Sequence, residues 1–145
     1  MTSNRIRATA SAFVLAALGG CVSTYEPAPN EEMATIRSIG FGRPQICKDG
    51  QMFWAPPAKD VADGVSVPAG RRVTVGTHIS DAGYQVVHFC RPFMSFQPEA
   101  GKTYLMNSGL SGNGRCFIEL VREDVAADTG VSVERSLGAP YCPKP

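Results

Sequence analysis

Histidine is scarce in this 145-residue chain, with two copies, and tryptophan occurs once, at Trp54. The cysteines form no C-x-x-C, and no paired histidines accompany them. That argues against a structural zinc site and against a thioredoxin-like redox motif. There is no G-x-S-x-G and no Ser-x-x-Lys, the two commonest marks of a serine enzyme. Basic charge is not in excess either: Lys and Arg total 14 against 13 Asp and Glu. A nucleic-acid binder would show a basic stripe. No stretch after the N-terminus carries an apolar stripe of helical period. These absences leave a non-catalytic, cofactor-free, mainly β protein as the expectation, with no nucleic acid among its partners.

The N-terminus is the most informative region. Arg5 and Arg7 form a basic head, Ala8 to Leu18 is almost wholly apolar, and Leu18-Gly19-Gly20-Cys21 follows. Positive head, short apolar run and small residues before a cut make a secretory signal. The apolar run is shorter than the roughly 20 residues needed to span a bilayer. Leu-Gly-Gly-Cys resembles the lipobox of bacterial lipoproteins. The resemblance implies cleavage before Cys21, a diacylglyceryl group on its thiol and an acyl chain on the new amine. Residues 1–20 are then a lipoprotein signal peptide. Val22 after the cysteine, where an inner-membrane retention signal has Asp, implies the periplasmic face of the outer membrane. Removing 20 of 145 residues leaves 125, and losing two of 14 basic residues leaves 12 against 13 acidic, a net charge near −1.

Four cysteines remain: Cys47, Cys90, Cys116 and Cys142. An even number in an exported chain reads as disulfides, and four allow three connectivities. The favoured pairing joins Cys90 to Cys116, between neighbouring strands, and Cys47 to Cys142, tying the C-terminal tail to the body. Residues 21–33 are polar and proline-containing and read as the lipidated cysteine followed by a flexible tether.

Residues 34–145 form one domain. Val73, Val75, Thr77 and Ile79 alternate on one face, the mark of a half-buried strand. Further short strands are expected at 34–39, 51–54, 65–67, 84–90, 93–97, 103–106, 116–122 and 131–135. Turn residues recur between them every 8–12 positions or so, including Ser80 to Gly83, and Asn113-Gly114 is the strongest hairpin dipeptide. The fold class is therefore all-β: a two-layer antiparallel β-sandwich of seven to nine short strands.

Two stretches carry a second resemblance. Val67-Pro68-Ala69-Gly70-Arg71-Arg72-Val73-Thr74-Val75 and Ser95-Phe96-Gln97-Pro98-Glu99-Ala100-Gly101-Lys102-Thr103-Tyr104 are similar to segments of small lipoproteins with PEGA-like domains. The resemblance implies an immunoglobulin-like or transthyretin-like sandwich. In it Gly101 is the positive-φ turn residue and Tyr104 a packed ring. Ile46-Cys47-Lys48-Asp49-Gly50-Gln51-Met52-Phe53 and Ser108-Gly109 resemble parts of the membrane-bound lysozyme inhibitors, which implies an exposed loop at 108–112. Gly112 stands where that loop has Tyr.

His78 and His88 bracket an expected hairpin and raise a metal-binding alternative. Solvated or half-buried strand positions explain them better, as solvated charge explains Asp60/Asp63 and Glu123/Asp124. Phe53, Trp54, Pro56 and Pro57 are the one aromatic–proline cluster. Trp54 is expected in the core, and an exposed cluster would be an interaction patch. The function expected is a lipid-anchored envelope protein with a binding or scaffolding role. A lysozyme inhibitor is the alternative, and a metal carrier a weaker one.

Overall fold

The computed structural model describes residues 23–57, 63–83 and 86–144. The signal at 1–20 and the lipidation site Cys21 lie outside them, as does Asp60. The described residues form ten strands: β1 (Met33–Ser38), β2 (Arg43–Lys48), β3 (Gln51–Trp54), β4 (Val65–Pro68), β5 (Val73–Gly83), β6 (Val86–Cys90), β7 (Phe93–Phe96), β8 (Thr103–Leu110), β9 (Cys116–Glu123) and β10 (Val131–Val133). They make two five-stranded sheets. Sheet one runs β10-β9-β8-β1-β4; sheet two runs β3-β2-β5-β6, with β7 also on β5. Every strand pair is antiparallel except β1 with β8.

The core lies between the sheets. Ile36, Val67, Tyr104, Met106 and Leu120 from sheet one meet Ile46, Val73, Val75 and Phe96 from sheet two. Alternation along each strand puts these on one face. The all-β, two-sheet expectation holds, with one strand more than the sequence signals: β2. Pro44 in that segment argues against a strand because it donates no ladder hydrogen bond. The structure supplies the missing donor from next door. Ala55 N–H donates to the Pro44 carbonyl at 2.9 Å, and the return bond to the Ala55 carbonyl comes from the Arg43 guanidinium at 2.9 and 2.6 Å. Asp49 and Gly50, at φ of 52° and 76°, then make the two-residue β2–β3 turn. Both central residues of a type I′ turn need positive φ.

Two expected loops are strand instead. Ser80 to Gly83 belongs to β5, because Ile79 to Gly83 pairs with Val86 to Cys90 in a projecting two-stranded ribbon. Ser108 to Leu110, the start of the loop implied at 108–112, belongs to β8, paired through to Leu110↔Cys116. The tip is only Ser111 to Arg115, where Gly114 N–H donates to the Ser111 carbonyl at 2.9 Å.

The Phe96 to Tyr104 segment packs as one unit. The Phe96 and Tyr104 rings meet edge to face at 4.9 Å, both fully buried. Between them the chain turns at Gly101 (φ 70°), whose N–H donates to the Met33 carbonyl at 2.8 Å. The Tyr104 hydroxyl accepts from the Glu99 N–H at 2.9 Å, holding the turn onto the core. Burial raises the Tyr104 pKa above its usual value.

The first described residues are not extended away from the domain. Trp54 N–H donates to the Ser23 carbonyl at 3.2 Å, and Tyr25 N–H to the Trp54 carbonyl at 2.7 Å. The Tyr25 ring is buried in the core cluster, and burial lifts its pKa to about 12. Within the stretch read as a tether, Thr24 and Tyr25 therefore dock on β3. Proline and charge signalled a free linker there, and one aromatic ring with a two-bond bridge outweighs them.

At the other end the C-terminal tail crosses the outside of sheet two. The Thr74 hydroxyl donates to the Tyr141 carbonyl (2.6 Å) and accepts from the Tyr141 N–H (2.9 Å), while the Ser95 hydroxyl donates to the Ala139 carbonyl (2.6 Å). Thr74 and Ser95 are buried polar residues on β5 and β7. The tail both covers and satisfies them.

Candidate functional site: two apolar surfaces on opposite faces

Two disulfides close the domain. Cys47 is bonded to Cys142, with Cα atoms 5.6 Å apart, and Cys90 to Cys116, at 6.3 Å. These are the pairs favoured from the sequence. The first fixes the tail to the end of β2; the second ties the base of the β5–β6 ribbon to β9, across the two layers. Two disulfides mark an extracytoplasmic protein.

The tail covers only part of sheet two. Inward-facing Ile46 is opposite Phe53 and Val75, so the alternate positions Trp54, Arg43 and His78 face outward. Phe89 pairs with Ser80, two positions beyond His78, and joins the same face. The Trp54 and His78 rings stack with centroids 5.9 Å apart, and Phe89 meets His78 edge-on at 4.5 Å. Arg43 lies over the Trp54 ring at 5.7 Å and Arg91 over Phe89 at 5.2 Å. Phe89 is 57% and Val87 67% exposed. The ion pairs among the described residues are Arg37–Glu123, Arg71–Glu31 and Arg122–Glu99, so Arg43 and Arg91 face this surface without a carboxylate partner.

The second surface is the corner where β1 passes to β2. Ile39 and Phe41 extend the β1–β8 pairing, donating from N–H to the Met106 and Ser108 carbonyls at 3.0 and 2.7 Å. The Phe41 carbonyl then accepts from the Ser108 hydroxyl of sheet one (2.8 Å) and the Thr77 hydroxyl of sheet two (3.3 Å). The glycines on either side are obligatory. A Cβ on Gly40 would overlap the Ser108 backbone, and one on Gly42 (φ 84°) would overlap the Thr77 hydroxyl and the His78 carbonyl. The backbone is thus pinned between the layers while the Phe41 side chain is 75% exposed. Its ring lies over Gly109 beside Phe117: a Cβ on Gly109 would stand 3.6 Å from Phe41 and 3.1 Å from Phe117. A cavity of about 460 Å³, lined by Phe41, His78, Ile79, Asp81 and Leu110 among others, opens beside it.

Several expected site residues take other roles. Trp54 is half-buried on the outer face rather than in the core, and Phe53 packs against the core in its place. His78 and His88 are not cross-strand partners: β6 register sets His88 opposite Asp81, three positions from His78. No three metal-ligating side chains come together among the described residues. Ser108 is buried within β8 with its hydroxyl committed to Phe41, so of the exposed loop implied at 108–112 by the lysozyme-inhibitor resemblance only Ser111 and Gly112 lie in the tip. Glu123 pairs with Arg37, and the Asp124 carboxylate accepts from the Ala126 N–H at 3.1 Å. The Gly40-Phe41-Gly42 corner escaped sequence reading, although an aromatic residue between two glycines was its signal. No protein family, curated protein or solved structure matches the chain.

Proposed function

We propose that this protein is a bacterial lipoprotein, anchored through Cys21 at the periplasmic face of the outer membrane, whose sandwich binds or scaffolds another envelope protein without catalysis. The lipobox-like Leu18-Gly19-Gly20-Cys21 supports the anchor, and the two disulfides agree with its compartment. The observation that carries the binding role is Phe41. A large apolar side chain presented on an immobilised backbone loses little freedom on binding, which is the economy of a preorganised contact. Aromatic anchors near pockets dominate interface energetics. Ile39, 57% exposed, and Phe117 extend the surface around it.

The test is crosslinking in intact cells followed by affinity capture and mass spectrometry, on the native protein and on Phe41→Asp. The native protein recovers one envelope protein in near-stoichiometric amount. Phe41→Asp weakens that capture roughly thirtyfold, the cost of losing a hot-spot contact of about 2 kcal/mol. Equal recovery by both would refute the assignment of this corner. The same spectra examine the anchor: the native N-terminal peptide begins at an acylated Cys21, and Cys21→Ser is neither processed nor acylated.

A further inference from the structure

The outer face of sheet two has a different occupant from the corner, and the path of the chain names it. Ser23 is held against Trp54 by the Trp54 N–H bond of 3.2 Å, and Tyr25 continues the bridge. Cys21 stands two residues earlier, and two residues span at most about 7 Å. An acylated Cys21 brings the bilayer to the edge of the Trp54–His78–Phe89 surface. No slack remains to hold the domain away from it.

We propose that this face docks on the membrane, with an anionic phospholipid surface as its ligand. The inference rests on the acylation of Cys21. Three features of the face match a bilayer interface. Trp54 is a half-buried indole at the anchor, and tryptophan favours the headgroup level. Phe89 and Val87 are exposed on the projecting ribbon and supply apolar area to enter the acyl boundary. Arg43 and Arg91 lie over the Trp54 and Phe89 rings, and neither has a carboxylate partner among the described residues. Cations so placed attract anionic headgroups. Phe41 and Phe117 lie on the outer face of sheet one, outside this docking face, although Phe41 shares a cavity with His78.

Trp54 is the sole tryptophan in the chain, so its fluorescence reports on this face alone. The native acylated protein is reconstituted into vesicles of phosphatidylethanolamine and phosphatidylglycerol carrying a spin label at the headgroup. The expected result is strong quenching of Trp54 that salt relieves. Arg91→Glu lowers the docking constant read from the quenching by at least roughly fivefold, the worth of one basic residue at an anionic surface. Val87→Asp and Phe89→Asp lower it further, while all variants stay with the vesicles through their acyl chains. Val87 is 67% exposed, so its variant stands in should Phe89→Asp fold poorly. Protein that pellets with vesicles but shows Trp54 unquenched, or quenched equally in every variant, overturns the docking and leaves the anchor intact. Protein that does not pellet and carries no acyl mass on Cys21 overturns both.

Discussion

Replacing Cys47 and Cys142 together by serine is expected to lower unfolding stability by roughly 4–5 kcal/mol, the larger of the two disulfide effects in this protein. The bond closes a loop of 95 residues, whereas Cys90–Cys116 closes 26. In the chain-entropy account the constraint on the unfolded chain grows with the logarithm of that length, which gives roughly 3.5 kcal/mol for the shorter loop. The longer one also secures the tail. Without it, the tail is held by the Ser95–Gly138 backbone bridge and by the Thr74 and Ser95 hydroxyls, which are buried beneath it. Fraying would leave them to recruit water. Chemical denaturation of the two double variants, side by side, measures the difference. A loss under about 1 kcal/mol for Cys47/Cys142 would show that the tail docks independently of its covalent tie.

Phe96→Ala is the second large effect, expected to cost about 3–5 kcal/mol. Phe96 is fully buried on β7, and its ring meets Tyr104 edge to face across the two layers. Truncation removes buried apolar surface and leaves a cavity that the strands on either side, held in register, cannot close. The consequence reaches the Glu99 turn, because the Tyr104 hydroxyl that accepts from the Glu99 N–H is positioned by that ring contact. Tyr104→Phe separates the contributions. It keeps the ring and deletes only the acceptor, at a cost of about 1 kcal/mol. Comparable losses for both variants would mean that the turn, not the ring packing, holds this part of the core.

The domain displays exposed aromatic side chains on both sheets. Sheet two is covered below by the C-terminal tail and displays Trp54, His78 and Phe89 above. Sheet one presents Phe41 and Phe117 on its own outer face, and Phe41 and His78 line one cavity where the sheets meet. The proposed anchor at Cys21 sets the Trp54 face toward the bilayer. The Cys90–Cys116 bond stiffens the ribbon that carries Phe89 and Val87 by tying its base to β9.

Nine strands were legible from the sequence because period-two alternation and turn residues are local signals. The packed ring of Tyr104 came from the resemblance to PEGA-like segments, whereas the turn at Pro98 to Lys102 was legible for the same reason. The segment Arg43 to Lys48 was not, since Pro44 forbids the ladder bond that defines a strand. Only the fold reveals that the Arg43 guanidinium takes over as donor to Ala55.

Trp54 makes the same point at the site. Phe53 and Trp54 are adjacent in a strand, so one of them faces the core and the other faces out. Composition and hydrophobicity cannot choose between two aromatic residues. Register can, because a slip of one residue exchanges every side chain between faces. The antiparallel pairing of Phe53 with inward-facing Ile46 makes the choice and sends Trp54 to the surface. Local pattern and export chemistry thus determined the class of this protein: an exported, all-β chain with an even set of cysteines beyond Cys21. The tertiary structure alone decided which aromatics are displayed, because display depends on cross-strand partners far apart in sequence and on a corner where two sheets approach too closely for any side chain but hydrogen.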